Sequence, residues 1–304
     1  MTLLSNRQTP GHLAEAVIHF NRARDAKASG NSIVEVARAL FDGLNKIQTE
    51  WALDQPDQEI GEVKAFQSLV LEALQSEART AFLRSEALHS VVDFKPQIMN
   101  HDVLRRRDYR PGVDIEPRLI CDASVVHRKL ATAYSEIDGV DATIEERVLK
   151  RTAELLYIVR SNIAHGEKAA YGPDRAKMDR DKAVCSVIVP LQEMLVDLFL
   201  DRPTRKLVVY GTLAPGQPNH HIIAGIAGSW FDCVVRGSIR SEGGLPVFAW
   251  NPSGPEVRAQ LFVSADLPES WAQIDAFEGS PYRRHLIPVK QEGDFAVANV
   301  YERS

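Results

Sequence analysis

The chain has 304 residues, of which 44% are hydrophobic and 25% are charged, and its formal net charge at pH 7 is −5. This length is sufficient for two domains, and the composition excludes a disordered or fibrous protein. The mild acidity also excludes a general attraction to nucleic acid or to anionic membranes, so any contact with RNA would have to be local.

The cysteines and the apolar residues predict a cytoplasmic location. The three cysteines are widely spaced and form no CxxC pair, which is typical of reduced thiols. No apolar run approaches the roughly 18 residues that a membrane-spanning helix needs, and Met1–Arg7 contains no hydrophobic signal core. We therefore expect a cytoplasmic protein without membrane contact.

The first third of the chain has the periodicity of helices. Leu13, Val17 and Phe20 share one helical face. Ser32–Glu35 has the pattern of a capping box that opens a second helix, and residues 58–88 predict further helix.

Residues 94–118 interrupt this pattern with three prolines, which predicts a long loop. The loop carries a basic cluster at Arg105, Arg106, Arg107 and Arg110. Such arginines can track a phosphate backbone, although a solvated loop is the more common explanation.

Helical periodicity resumes at Asp122 and continues to about residue 200. The strongest helix is predicted over residues 144–165 and is ended by Gly166. A last apolar helix follows, in which we expect Pro190 to cause a kink or a break.

The pattern changes after Asp201–Thr204, which we interpret as a linker. Short alternating segments then predict strands, with one helix over residues 267–277. The predicted strands are Leu207–Tyr210, Val257–Val263, His285–Val289 and Ala298–Tyr301. The sequence thus predicts a multidomain protein, with an all-α domain over residues 1–203 and a small α+β domain over residues 204–304.

Two motifs in the second domain contain the candidate functional residues. Tyr210 begins a Tyr-Gly-Thr-Leu turn directly after a strand, and Glu278 stands between Phe277 and Gly279 where a helix should end. A carboxylate in such a corner can be partly desolvated, which raises its pKa toward neutrality and suits it to moving a proton.

The segment from Leu207 to His220 resembles the opening motif of the gamma-glutamylcyclotransferase-like family, and Asp275–Arg284 resembles the motif that carries its catalytic carboxylate. The resemblance covers about residues 205–304 and implies a small α+β barrel. One departure is Arg258-Ala259, where the family often has a glycine. The resemblance implies a lyase-type reaction that cyclises a gamma-glutamyl amine or amide to 5-oxoproline and releases the amine.

In this reaction the substrate's own amine is the nucleophile, so the protein must supply orientation, oxyanion stabilisation and a proton shuttle. The resemblance assigns the shuttle to Glu278 and requires no cofactor. The expected substrate-binding residues are Tyr210, Gly211, Thr212, Leu213 and Tyr282. Because His220 and His221 are adjacent, their side chains diverge, and we expect no metal site.

Each of these residues also has a purely structural explanation. Tyr210 could be a core or strand-end aromatic, and Tyr282 a packing residue. Glu278 could be a solvated carboxylate at a helix end. We expect Arg283 and Arg284 to be solvated or paired with carboxylates.

A second motif closes the strong helix of the first domain. Arg160, Asn162 and His165 resemble the Arg-x4-His pattern of the HEPN (higher eukaryotes and prokaryotes nucleotide-binding) family, an all-α bundle. Its ribonuclease members pair two chains, so the resemblance implies a homodimer through the helical domain. It also implies that Arg160 stabilises phosphate charge and that His165 does acid–base work on RNA without metal.

Two features leave this second site open. Ser161 follows the arginine where many catalytic members carry Asn, Asp or His. Five residues along an ideal helix separate side chains by about 140°, so Arg160 and His165 converge only if the helix ends or tightens first. Alternatively, Arg160 caps the helix and His165 is a structural residue.

Two functions from different classes therefore remain at the level of sequence, beside a third possibility, a two-domain binding protein in which both sites are inert. The first is a cyclotransferase-like enzyme fused to a HEPN-like domain. The second is a ribonuclease effector of a toxin–antitoxin or phage-defence system, whose C-terminal domain senses or modifies a small molecule.

Overall fold

A computed structural model of the chain describes residues 10–53, 55, 61–94, 123–137, 139, 141–164, 175–280, 282–291 and 294–303. These residues fall into two compact units. One is Arg22–Val196, and the other joins the described residues up to Asn21 to the chain from Asp197 onward. The predicted domains, residues 1–203 and 204–304, do not include this grouping of the described residues up to Asn21 with the C-terminal part. The arginine cluster at 105–110 lies outside the described residues.

The N-terminal region is helical, as predicted. Its described helices are α1 Pro10–Ala28, α2 Ile33–Leu53, α3 Glu62–Ala73, α4 Ser76–Leu83, α5 Glu86–Val92, α6 Ala123–Ser135, α7 Ala142–Ala164 and α8 Arg175–Phe199. Helices α3 and α6 both pack against α7. The single helical stretch predicted over 58–88 is in fact divided into α3, α4 and the start of α5, where the Ser85 hydroxyl accepts a hydrogen bond from the Leu88 amide as an N-cap.

Helix α8 is not broken at Pro190. It continues from Arg175 to Phe199 as one element. A proline inside a helix costs about 3 kcal/mol, but Pro190 itself is exposed while Ile188 and Leu191 beside it are fully buried. Burying two such side chains contributes about 3 to 6 kcal/mol, which is enough to hold the helix through the proline.

The C-terminal region is a small strand-rich barrel. Its elements are β1 Lys206–Val209, β2 Ser229–Glu242, β3 Leu245–Trp250, β4 Glu256–Val263, α9 Leu267–Glu278, β5 Tyr282–Gln291 and β6 Asp294–Arg303. The strand order is β3-β2-β4-β1-β6-β5, and a pairing of Val234 in β2 with Lys290 in β5 closes the sheet on itself. The predicted strands and the predicted helix are all present, whereas β2 and β3 were missed.

Strand β2 is long because it pairs with two neighbouring strands in succession. Its first part, Ser229–Arg236, pairs with β4, and from Gly237 onward it pairs with β3. A Cβ atom at Gly237 would lie 2.4 Å from the Ala249 carbonyl oxygen, so only glycine allows the two strands to approach this closely.

Strand β1 lies between two layers of core side chains. Leu207 and Val209 face one layer, which includes Trp271 and Ile274 of α9. Val208 faces the other layer, which includes Phe248 of β3. The alternation along β1 thus places the end of this strand between α9 and β3.

Asn21 of α1 completes the hydrogen bonding of β5. Its amide nitrogen donates to the Leu286 carbonyl oxygen at 2.8 Å, and its amide oxygen accepts from the Leu286 nitrogen at 2.7 Å. Leu286 stands opposite Asn299 in the β5–β6 pair. Residues in an antiparallel pair alternate between bonding to the partner strand and pointing away from it, and the bonds to Asn21 show that the Leu286 groups point away from β6. The buried Asn21 side chain thus occupies the place of a neighbouring strand.

We expect Asn21→Ala to destabilise the barrel by about 2 to 4 kcal/mol, because it leaves both Leu286 groups buried without partners. Urea unfolding followed by tryptophan fluorescence measures this, since Trp230, Trp250 and Trp271 lie in the barrel. Asn31→Ala, at an exposed asparagine just after α1, is the matched control. Equal stability of the two variants would contradict the assigned role of Asn21.

Candidate functional site

The barrel contains a cavity of about 180 Å³ at the end of β1. Strand β1, the turn that follows it, the end of α9, and single residues of β3, β5 and β6 form its wall. The lining residues are Leu207, Val208, Val209, Tyr210, Gly211, Thr212, Leu213, Asn219, Pro246, Phe277, Glu278, Tyr282 and Tyr301.

The turn after β1 offers unused hydrogen-bond donors to this cavity. The turn is closed by the Ala214 amide, which donates to the Gly211 carbonyl oxygen at 3.1 Å. Within the described part of the chain, the backbone N–H groups of Gly211, Thr212 and Leu213 donate to no other group. Such a set of donors binds a carboxylate or a developing oxyanion.

Strand β3 approaches this turn closely at Gly211. A Cβ atom at Gly211 would lie 3.0 Å from the side chain of Pro246. This distance is tighter than ordinary van der Waals contact, so a larger residue here would require the Pro246 side chain to shift by a few tenths of an ångström.

Asn219, which was not among the predicted site residues, forms two hydrogen bonds to Thr212 in this turn. Its side-chain nitrogen donates to the Thr212 hydroxyl oxygen at 3.0 Å, and its backbone amide donates to the Thr212 carbonyl oxygen at 3.0 Å. Because the hydroxyl already accepts one hydrogen bond, its own proton remains available to a ligand. The adjacent His220 donates from Nδ1 to the Leu213 carbonyl oxygen at 3.0 Å, which makes it a turn feature as expected.

Glu278 is the last residue of α9, and its side chain lines the cavity. Gly279 follows with φ +60°, which turns the chain from the helix toward β5. The Glu278 carboxyl forms no hydrogen bond with another described residue, and burial raises its pKa to about 7. A carboxyl without a partner for its charged form is suited to accepting and returning a proton near neutral pH.

The two predicted tyrosines differ in how their hydroxyl groups are used. Tyr210 donates to the Tyr301 carbonyl oxygen at 2.9 Å and packs its ring against Phe248, so its proton is already committed. Burial raises the pKa of Tyr210 well above its usual value. The Tyr282 hydroxyl makes no hydrogen bond to another described residue, which leaves it available to a ligand.

The structure therefore brings all the residues predicted for this site to one cavity, and it adds Asn219 and Tyr301. Their roles in binding and catalysis stay predictions. Asn219 lies inside the motif that drew attention to the turn, so its polar side chain was a signal that sequence reasoning could have used.

The second predicted site is only partly described. Arg160 lies on α7 and donates from Nη1 to Glu62 at 3.2 Å, and the Tyr157 hydroxyl donates to the same carboxylate oxygen. The Tyr157 hydrogen bond lowers the pKa of Glu62, and burial raises the pKa of Tyr157 to about 12. The Asn162 side chain and His165 lie outside the described residues, so the predicted pairing of Arg160 with His165 stays a prediction.

Two further observations concern metals and membranes. Among the described residues, no three His, Cys, Asp or Glu side chains are grouped so that they could hold a metal ion. Within the same part of the chain, no helix combines the length and the apolar character needed to cross a bilayer.

Comparison with solved structures finds chains that resemble the C-terminal part. YkqA from Bacillus subtilis has 23% identity and a TM-score of 0.29, over 33% of this chain and 36% of that one, so only about a third of that relative is matched. PH0828 from Pyrococcus horikoshii has 22% identity and a TM-score of 0.26, over 32% of this chain and 76% of that one.

An AIG2-like protein from Mus musculus has 23% identity and a TM-score of 0.28, over 33% of this chain and 77% of that one. A search of curated proteins finds no significant match. Residues 207–303 match the family described as gamma-glutamyl cyclotransferase, AIG2-like. The C-terminal third of this chain is therefore a domain of the gamma-glutamyl cyclotransferase, AIG2-like family.

Proposed function

We propose that the C-terminal barrel cyclises a gamma-glutamyl amine or amide to 5-oxoproline and releases the amine. The observation that carries this proposal is the unpartnered Glu278 carboxyl, with its pKa raised to about 7, in the same cavity as three unused backbone N–H groups. The family of residues 207–303 supports the same class of reaction.

The proposed reaction needs one proton carrier and one anion site. Glu278 accepts a proton from the substrate's α-ammonium group, and the free amine attacks the γ-carbonyl carbon to form the new C–N bond. The N–H groups of Gly211 to Leu213 stabilise the charge on the carbonyl oxygen. The bond to the leaving amine then breaks as Glu278 returns this proton to that nitrogen and the carbonyl forms again. The ring nitrogen loses its remaining extra proton, which the released amine binds as an ammonium ion, so atoms and charge balance without an oxidant or a metal.

The size of the cavity supports a small reacting group. Its volume of about 180 Å³ is below the roughly 300 to 1,000 Å³ of pockets for drug-sized ligands. We infer that it holds the gamma-glutamyl part, whereas the leaving amine extends past Phe277, whose side chain is exposed at the cavity edge.

The ribonuclease hypothesis for the helical region stays a prediction, together with its homodimer and its RNA. Arg160 is paired with Glu62 rather than open to a phosphate. This pairing would have to be broken before Arg160 could bind RNA, and for that reason the cyclotransferase reaction is the function we propose.

We expect Glu278→Gln to lower kcat/KM by about 10²- to 10⁴-fold, because the amide cannot carry the proton. The measurement is 5-oxoproline release from a panel of gamma-glutamyl amines and gamma-glutamyl amino acids. Glu269→Gln removes an exposed carboxylate from the same helix and should leave the rate unchanged. Unchanged release by Glu278→Gln would refute the mechanism.

We expect kcat/KM of the unaltered protein to fall as the pH drops through about 7, because only the carboxylate form of Glu278 can accept the proton. A pH series with a substrate whose amine does not titrate in this range measures the effect. An acid limb near pH 4.5, the usual value for glutamate, would show that Glu278 is solvated during the reaction.

The same raised pKa should make Glu278 a source of instability at high pH. Between its usual pKa of 4.5 and about 7, the folded protein binds more protons than the unfolded chain, so stability falls as the pH rises through this interval. We expect Glu278→Gln to be more stable than the parent by about 1 to 2 kcal/mol above pH 7, after allowance for solvent screening, and by little at pH 4.5. Urea unfolding at both pH values tests this, and a pH-independent difference would contradict it.

A further inference from the structure

The position of Glu278 is set by the backbone of the helix that carries it. Its carboxyl has no hydrogen-bond partner among the described residues, so no contact of its own fixes it in the cavity. It also stands on the final turn of α9, where helices fray most easily. Some other group must therefore hold this turn against the barrel.

Asp275 is the residue on this turn that is bound to the sheet. Its Oδ1 accepts a hydrogen bond from Arg284 Nε at 3.0 Å, and its Oδ2 accepts one from Arg284 Nη2 at 3.1 Å. Oδ1 also accepts from the Tyr301 hydroxyl at 2.5 Å. Paired, charge-assisted bonds of this kind are among the strongest and most directional that side chains make.

These contacts join three elements. Asp275 lies on α9, Arg284 on β5 and Tyr301 on β6. The Arg284 guanidinium also stacks on the ring of Trp271, one turn earlier on α9, at 4.1 Å from the ring centroid. The Gly279 amide donates to the Asp275 carbonyl oxygen at 3.0 Å, which closes the turn that contains Glu278.

Tyr301 is also hydrogen-bonded to the turn after β1, residues 210–213, which lines the same cavity. The Tyr301 carbonyl oxygen accepts the hydrogen bond of Tyr210, the first residue of that turn. Burial and the bond to Asp275 raise the pKa of Tyr301, so that it remains a neutral donor to Asp275. Tyr301 thus connects the helix that carries the proton shuttle to the turn that carries the N–H donors.

We propose that Asp275 is a positioning residue of the site, which, through Arg284 and Tyr301, holds Glu278 at a fixed place relative to the donors of the turn. This proposal rests on the proposed cyclotransferase reaction. Asp275 acts without touching the substrate, since it does not line the cavity.

We call Asp275, Arg284 and Tyr301 the clamp; within it, the negative charge of Asp275 is paired with the positive charge of Arg284. The titratable groups around Glu278 are Tyr210 from the turn after β1, Tyr282 from β5 and Tyr301 from β6. The charged groups that act on these tyrosines are Asp275, Arg284 and Glu302. With the two opposite charges paired, burial is the cause that raises the pKa of Glu278. Removing one of these two charges therefore changes the net charge close to Glu278.

The test compares Asp275→Asn with Arg284→Gln. Both should lower kcat by about 10- to 100-fold with KM changed little, because they displace a reacting group without removing a substrate contact. The acid limb of kcat should move to lower pH in Asp275→Asn, because this variant loses a negative charge near Glu278. It should move to higher pH in Arg284→Gln, because that variant loses a positive charge. Arg303→Gln, which breaks an exposed ion pair with Glu242 in the same barrel, should do neither.

Shifts of the acid limb in opposite directions in Asp275→Asn and Arg284→Gln support the proposal. A general loosening of the fold would shift the acid limb of both variants in the same direction. An unchanged kcat in Asp275→Asn, or shifts of the same sign in the two variants, would overturn it. If the unaltered protein releases no 5-oxoproline from any substrate of the panel, the proposed function itself fails.

A titration of Glu278 by ¹³C NMR separates these two failures, with Glu278→Gln identifying its resonance. A midpoint that moves down in Asp275→Asn and up in Arg284→Gln supports the clamp independently of activity. Midpoints equal to that of the parent overturn it.

Discussion

Holding a carboxyl group away from water without a hydrogen-bond partner is unfavourable, and the barrel is arranged around this constraint. Glu278 could relieve the strain by turning outward into solvent, as most glutamates at helix ends do. The hydrogen bonds of Asp275 to Arg284 on β5 and Tyr301 on β6 join the last turn of α9 to the sheet, and the Glu278 side chain on this turn lines the cavity. The free energy that favours packing of the barrel thus maintains a carboxyl in a state in which it can exchange protons near neutral pH.

That the predicted residues of the C-terminal site share one cavity could be anticipated from the sequence, because they lie in two short local motifs. The Tyr-Gly-Thr-Leu turn and Glu278 each occupy a position defined by neighbouring residues, namely the end of a strand and the end of a helix. Asp275 was read only as part of a motif. Its bonds to Arg284 and Tyr301 depend on strand register, which local periodicity does not specify.

Strands β2 and β3 were not predicted for a similar physical reason. Strand β2 changes partner at Gly237, so its inward and outward residues do not alternate with one simple period along its length. Strand β3 contains Pro246, and proline is depleted in strands but tolerated at the edge of a sheet, where β3 lies. In the helical region, Arg160 meets a glutamate 98 residues earlier in the chain, a separation that no motif reveals.

The bond between Asn21 and Leu286 joins residues 265 positions apart. During synthesis, the segment that contains Asn21 leaves the ribosome long before the strand that it completes, and the helical region is made in between. Contacts between such distant residues form late and slow the folding of the part that contains them. Until Leu286 emerges, the side chain of Asn21 lacks the backbone groups to which it is bonded in the folded chain. The last third of the chain therefore depends for its completion on residues made first, and a gene that encoded only this third would omit them.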